Sequence, residues 1–458
     1  MAGLNVGGLA SGLDTNSIIE QLIALERTVI TSLERKKSTY QTKLSLWQEF
    51  NTKLLSLQTS VSSLSSSSVF ANKVVTVSNT SVLSATANSK ALTGSYAITV
   101  EQLAYAHQIA SSNAYANYDT LTFGEGTITL QVGSGTPTEI TIDSSNNTLQ
   151  GIMNAINSAK AGVQASIVNT QDGYRLLLTS NTTGTAGAIA IAASLTGGDA
   201  ELSSFSEIQA AQDARILLGT TNPIVYESSS NVVSDLLSGV TITLKGTGTV
   251  NVEITQDRAG IKSAVSSFVE AYNNVISFVE KNTFYNVDTK VAGNLLGDAN
   301  LYRIVSNLAS TVLGRVSYSN GGYDSLASIG ISVDRYGYLS LNTAKLEEVL
   351  NNNPEALQRL FAGGSSSSEK GLASLLAEKL KFVTDPYRGT IKTVQDHYNK
   401  LIGDIGKRVE LLEERLAKEE ERLREQFAAL EKALATYQTQ STWLTRQIGI
   451  LSSNWKNS

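Results

Sequence analysis

The sequence predicts an α+β multidomain fold: long coiled-coil-like terminal helices form a stem or leg, and two small β-rich domains are inserted between them. Three observations predict it. The two chain ends share an apolar repeat of three and four residues, the middle alternates with period two, and Gly and Asn punctuate that middle at short intervals. At 458 residues the chain has room for about three domains.

The N-terminal repeat runs Leu22, Glu26, Val29, Leu33, Lys36, Tyr40, Lys43, Trp47, Phe50, Leu54, Leu57, Val61 and Leu64. The C-terminal one runs Val409, Leu412, Leu416, Glu419, Leu423, Gln426, Leu430, Ala433, Tyr437, Gln440, Leu444, Gln447 and Leu451. Apolar residues spaced by 3.5 positions over this length mark helices packed along a seam. No proline follows Pro386, so one helix can run from about Ile391 to Leu451, roughly 90 Å at 1.5 Å per residue. Two readings stand side by side. The ends pair only with each other, covering their own core, or they also pack against sibling molecules. Glu26, Lys36, Lys43, Glu419 and three glutamines interrupt the seam, and buried polar groups weaken pairing while specifying register and partner number.

In the middle, TGSYAITVEQL (93–103), GTITLQV (126–132), TEITID (138–143) and GVTITLKGTGTVNVEIT (239–255) read as strands. Within 149–180, Leu149, Ile152, Met153 and Ile156 share a helical face capped by Thr148, and a hairpin turns at Asp172-Gly173. Helical periodicity returns over 257–283, 292–315 and 369–384. Segment 330–361 is sharply punctuated: strand ISV, a turn ending at Gly337, strand YLSL, a helix capped by Asn342 or Thr343, and a second helix opened by Pro354. The expected domains are 1–70 with 390–458 (helical leg), 256–389 (helix-rich, with the hairpin), 71–116 with 216–255 (β-rich), and 117–215 (inserted β-rich with one helix).

Composition excludes several classes of function. With no cysteine there is no disulfide, thiol nucleophile or cysteine-ligated metal. The two histidines, His107 and His397, form no metal motif, and His107 reads as a satisfied structural residue. No P-loop and no GxSxG elbow is present. The expectation is no enzyme, no catalytic residue, no metal and no cofactor. Residues 74–255 carry 13 acidic and 5 basic side chains, which argues against nucleic acid. No apolar run is long enough for a membrane span, and the first basic residue is Arg27, so no cationic signal region opens the chain.

GLASGLDTNSIIEQL (8–22), with Gly8, Ser11, Gly12, Leu13 and Asp14, resembles the N-terminal signature of the bacterial flagellar cap family, also called flagellar hook-associated protein 2. Segment 330–361, with Gly330, Ile331, Gly337, Leu339, Leu341, Pro354 and Phe361, resembles that family's C-terminal signature. REQFAALEKALATYQTQSTWLTRQI (424–448) is similar to its terminal helix, and 149–180 to an insert shared with flagellins. The resemblance implies an extracellular protein at the flagellum tip, exported without a cleaved signal peptide. It implies a homo-oligomeric ring, typically a pentamer, that retains flagellin and promotes its polymerisation, with junction proteins and an export chaperone as further partners.

The residues expected to carry assembly are Leu22, Val29, Leu33, Tyr40, Trp47, Phe50, Leu54 and Leu57 on the first helix. On the last they are Leu416, Leu423, Phe427, Leu430, Tyr437, Trp443, Leu444 and Ile448. Two other readings remain: another axial protein such as a junction protein or flagellin, and an adhesin whose Tyr115, Tyr118, Tyr174 and Tyr226 stack on host glycans.

Overall fold

The computed structural model describes Gly12 and residues 14–316, 322–364, 366 and 369–456, with side chains through residue 449. Helices α1 (Thr15–Ser65) and α2 (Ser67–Ala71) lead into β1 (Lys73–Val77), β2 (Leu83–Ala87), β3 (Gly94–Gln102), β4 (Ala106–Ser111), β5 (Glu125–Val132) and β6 (Thr138–Ile142). Helix α3 (Leu149–Ala159) precedes β7 (Val163–Thr170), β8 (Gly173–Thr183), β9 (Ile189–Thr196), β10 (Phe205–Gln209), β11 (Ala214–Leu218), β12 (Ile224–Ser228), β13 (Val232–Val233), β14 (Val240–Leu244) and β15 (Gly248–Gln256). Then follow α4 (Arg258–Thr283), α5 (Ala299–Val312), the hairpin β16 (Ile331–Val333) and β17 (Leu339–Leu341), α6 (Thr343–Asn352), α7 (Pro354–Phe361), α8 (Leu372–Thr384) and α9 (Thr390–Lys456).

Two compact units result, one from residues 1–65 with 262–458 and the other from 66–261. In the first, the C-terminal half of α1 supplies the core. Trp47, Phe50, Leu54, Leu57, Val61 and Leu64 are fully buried. Phe50 stacks on Phe278 of α4 at 5.4 Å, Phe268 meets Phe361 of α7 edge-on, and α8 packs along α1. Helix α5 begins at Ala299, not near 292, because Asp298 caps it, accepting from the N–H groups of Asn300 and Leu301. The residues before it form a loop closed by Asn286 N–H to Val291 O and Gly293 N–H to Phe284 O.

The second unit holds two cores. One lies between the sheet β1-β15-β3-β11-β12 and the sheet β13-β14-β2, around Leu83, Ile98, Ile216, Ile242 and Val252. The other gathers Phe123, Ile128, Leu130, Leu176 and Leu178 between β10-β4-β8-β7 and β6-β5-β9, with α3 contributing Leu149, Ile152 and Ile156. Thr148 caps α3, accepting from Gly151 N–H. The chain passes from one core to the other at Tyr105, which bridges Gln212. Strand β4 and Tyr115 therefore lie in the second core and β11 in the first sheet, which places the crossings near 105 and 212 where the sequence suggested 116 and 216. No Gly or Pro stands between Gly94 and Gly124 to mark the passage.

His107 sits 9% exposed in this second core. Its Nδ1 accepts from Ile189 N–H at 2.8 Å and its Nε2 donates to Glu207 Oε1 at 3.1 Å, so both ring nitrogens have structural partners. Tyr226 donates its hydroxyl to Asp235, and this bond pushes the phenol up to about 12. The protonated phenol makes the bond, so its contribution is complete below the ordinary tyrosine value of about 10 and fades as pH rises towards 12. In a spectrophotometric tyrosinate titration Tyr226→Phe should therefore remove part of the late-ionising amplitude, the other raised phenols (Tyr115, Tyr272, Tyr338 and Tyr398) remaining.

Candidate functional site

The terminal helices meet as an antiparallel pair. Ile19 and Ile23 of α1 cluster with Leu416, Leu423 and Phe427 of α9, while Tyr40 meets Tyr398 at 6.0 Å further along. Lys36 lies over the Tyr40 ring. At 1.5 Å per residue α9 is about 100 Å long.

This geometry sorts the residues expected on the seam. Trp47, Phe50, Leu54 and Leu57 are enclosed in the chain's own core, where no second molecule can reach them. Leu33 and Tyr40 are half-buried along α1, and Leu416 is buried. Leu22 and Val29 are exposed at 45% and 53%; the inward positions are Ile19, Ile23 and Ile30. Helix α1 carries two adjacent apolar rows there, and a 3.5-residue repeat fits either. Only the position of α9 selects the isoleucines, which the sequence frame missed. Glu26 and Lys36 are likewise exposed, so the seam is less interrupted than the repeat suggests.

On α9, Leu423 and Phe427 are half-buried beside α1, but Leu430, Tyr437, Trp443, Leu444 and Ile448 are exposed, at 46%, 69%, 61%, 52% and 62%. The described part of α1 starts at Thr15, close to Phe427, and α9 continues beyond it. Its outer face carries paired charges. The Lys418 ammonium donates to Glu414 at 2.8 Å and holds that carboxyl below its ordinary value. Arg424 pairs with Glu420 and Arg422 with Glu419. Such exposed pairs add little stability.

Among the signature residues, Gly8, Ser11 and Leu13 lie outside the described residues. Asp14 caps α1, its Oδ1 accepting from Ser17 N–H at 3.0 Å. Gly330 sits at φ +92°, where a side chain would be strained and its Cβ would meet Asn342 O at 3.0 Å. Gly337 has the same φ in the β16–β17 turn. Ile331, Leu339 and Phe361 are buried, Leu341 and Pro354 half-buried, and Asn342 and Asn353 cap α6 and α7. The hairpin is fastened by Asn273 of α4, which donates to Leu339 O and accepts from Leu339 N–H, both at 2.8 Å. No periodicity signals that residue. Asn273→Ala should strand both groups of Leu339 and cost about 1–3 kcal/mol, whereas Asn273→Asp keeps the acceptor and loses the donor. Urea denaturation of the three proteins would rank them.

Among the described residues no group of three or more His, Cys, Asp or Glu could hold a metal. No described helix is long and apolar enough to cross a membrane. The arrangement offers surfaces for contact, in the form of long helices with apolar rows turned outward.

Comparison with known proteins agrees in chain order. Residues 11–107 match the flagellar hook-associated protein 2 N-terminus model, 127–182 the flagellin hook IN motif, and 211–439 the flagellar hook-associated protein 2 C-terminus model. The chain is 32% identical to flagellar hook-associated protein 2 of Escherichia coli over 98% of both chains. It is 30% identical to the B-type flagellar hook-associated protein 2 of Pseudomonas aeruginosa over 94% of both. A crystal structure of the flagellar cap protein from Escherichia coli aligns with a TM-score of 0.65 at 32% identity, covering 77% of this chain and 99% of that one. With its helical ends, its inserted sheets and these matches spanning both, the chain belongs to the flagellar hook-associated protein 2 family, the flagellar cap proteins.

Proposed function

We propose that this protein caps the distal end of a bacterial flagellar filament as a homo-oligomeric ring, retaining exported flagellin and promoting its polymerisation there. The observation that carries the reading is the outer part of α9. It presents Tyr437, Trp443, Leu444 and Ile448 to solvent, beyond the reach of α1. A row of large apolar and aromatic side chains on a solvated helix is ready-made contact area for equivalent helices of sibling chains or for filament subunits. Export without a cleaved signal, an export chaperone and junction-protein neighbours belong to the same proposal.

The physics of the leg suits a cap that must move as each subunit is added. The α1–α9 pair buries few side chains beyond Tyr40, and a two-helix element with so thin a seam is marginal alone. Contacts that are individually weak and repeated around a ring can be broken one at a time; a wide apolar interface would lock the cap. Hydrogen exchange on the isolated chain should therefore find the amides of 405–449 far less protected than those of α4, with protection rising on assembly. Strong protection of the leg in a monomer would contradict this. Electron microscopy of purified protein should show closed rings, and open filaments would instead assign the chain to another axial role. The gene should also restore filament growth in a strain lacking its own cap.

A further inference from the structure

His107 on β4 joins the two sheets of the second β core. Its Nδ1 accepts from Ile189 N–H at the start of β9, and its Nε2 meets Glu207 Oε1 on β10. Strand β4 belongs to β10-β4-β8-β7 and β9 to β6-β5-β9, so one side chain spans the packed sheets. We propose that this imidazole is an acid-operated latch. Neutral, it ties β9 to β4; protonated, it releases β9 and stays with β10.

The tautomer follows from the partners. A backbone N–H only donates, so Nδ1 carries the lone pair and the ring proton sits on Nε2, aimed at the Glu207 carboxylate. The register of β5 with β9 explains why Ile189 needs this acceptor. Val132 stands opposite Ile189, and Gly133 N–H donates to Ala188 O at 2.7 Å. Hydrogen-bonded and open pairs alternate along an antiparallel ladder, so Ile189 N–H turns away from β5. Strand β9 is an end strand of its sheet and Ile189 is buried, which leaves the imidazole as the partner of that N–H.

A proton on Nδ1 turns the acceptor into a donor. Two N–H groups then face each other, and the bond to Ile189 is lost. The new charge is met on the other side by Glu207, whose carboxylate lies largely in solvent and draws the ring towards β10. Glu207 is the charge that faces the ring. Strand β9 and the single turn Thr185–Gly187 carry no titratable side chain, and Glu207 is the one on β10. On β8, Tyr174 and Arg175 stand at the far end of β4, where Arg175 donates to Ser111 O and Ser112 O. Asp213 sits on the turn, held by the N–H and hydroxyl of Thr185.

The chain has two histidines, His107 and His397, so nitrogen NMR of the full chain labelled at histidine gives two ring spectra, assigned with His397→Gln. At about pH 8 the His107 ring should carry its proton on Nε2, and acidification to about pH 5, across the range in which imidazoles charge, should protonate Nδ1. Hydrogen exchange, corrected for its intrinsic pH dependence, should show the amides of 189–192 losing protection about tenfold or more over the same range, with α4 unchanged. His107→Asn places a carboxamide oxygen that does not titrate where Nδ1 stood, and protection there should no longer follow pH; a melting curve at neutral pH checks its fold. Glu207→Gln alters an exposed side chain, so it folds in any case, and it should move ring protonation and the loss of protection together to lower pH. A ring proton on Nδ1 at about pH 8 or a ring still neutral at about pH 5 would overturn the proposal. So would protection of 189–192 that ignores pH, or that falls equally in His107→Asn.

Discussion

Trp47→Ala should be the most damaging single change in the helical unit, lowering its stability by about 3–5 kcal/mol. Trp47 is fully buried, meets Phe50 edge-on at 5.6 Å, and donates its indole N–H to Asp298 Oδ2 at 3.3 Å. Truncation opens a cavity between α1 and its neighbours and removes one partner of the residue that caps α5. For a unit of this size the helical circular dichroism signal should be lost roughly 10 °C earlier on heating. Trp47→Phe keeps most of the volume and should lose clearly less. A Trp47→Ala protein that melts with the parent would show that α1 is not the centre of this core.

The second large effect is on assembly, and it separates two leucines that the sequence treats alike. Leu444→Asp should abolish ring formation and filament capping while leaving the chain's melting curve within experimental error, because Leu444 is 52% exposed and touches no core. Leu423→Asp should act differently. Leu423 packs half-buried against the Ile19, Ile23 and Leu416 cluster, so an added carboxylate there should separate α1 from α9 within a single chain. Circular dichroism would then register lost helix before any assembly assay is run. Sedimentation velocity on both variants, beside a motility assay, distinguishes the cases. Normal rings from Leu444→Asp would remove the outer α9 row from the proposed interface.

Much of the fold was legible because local rules dictated it. Thr148 and Asn342 cap where hydrogen-bonding side chains precede apolar periodicity, and Pro354 opens α7. The absence of proline beyond Pro386 leaves α9 free to run from Thr390 to Lys456. Gly330 and Gly337 stand where the backbone turns left-handed. The pairing of the terminal helices was only half legible: Leu416, Leu423 and Phe427 lie along it, but Ile19 and Ile23 fell outside the repeat read along α1.

By itself, then, the sequence determined that the two ends form long helices and where the most sharply patterned strands and capped helices between them lie, but it marked no strand at 73–77, 83–87, 106–111 or between 189 and 233. Periodicity and capping are properties of neighbouring residues, so they can be read along the chain. Tertiary structure alone decided that Ile19, Ile23 and Ile30 face inward where Leu22 and Val29 were expected, that Trp47 to Leu57 serve the chain's own core, and that β4 crosses into the second sheet. The reason is physical: a helix with two apolar rows, or a strand with no breaker beside it, leaves its partner unspecified until another element arrives to bury one face and leave the other in water.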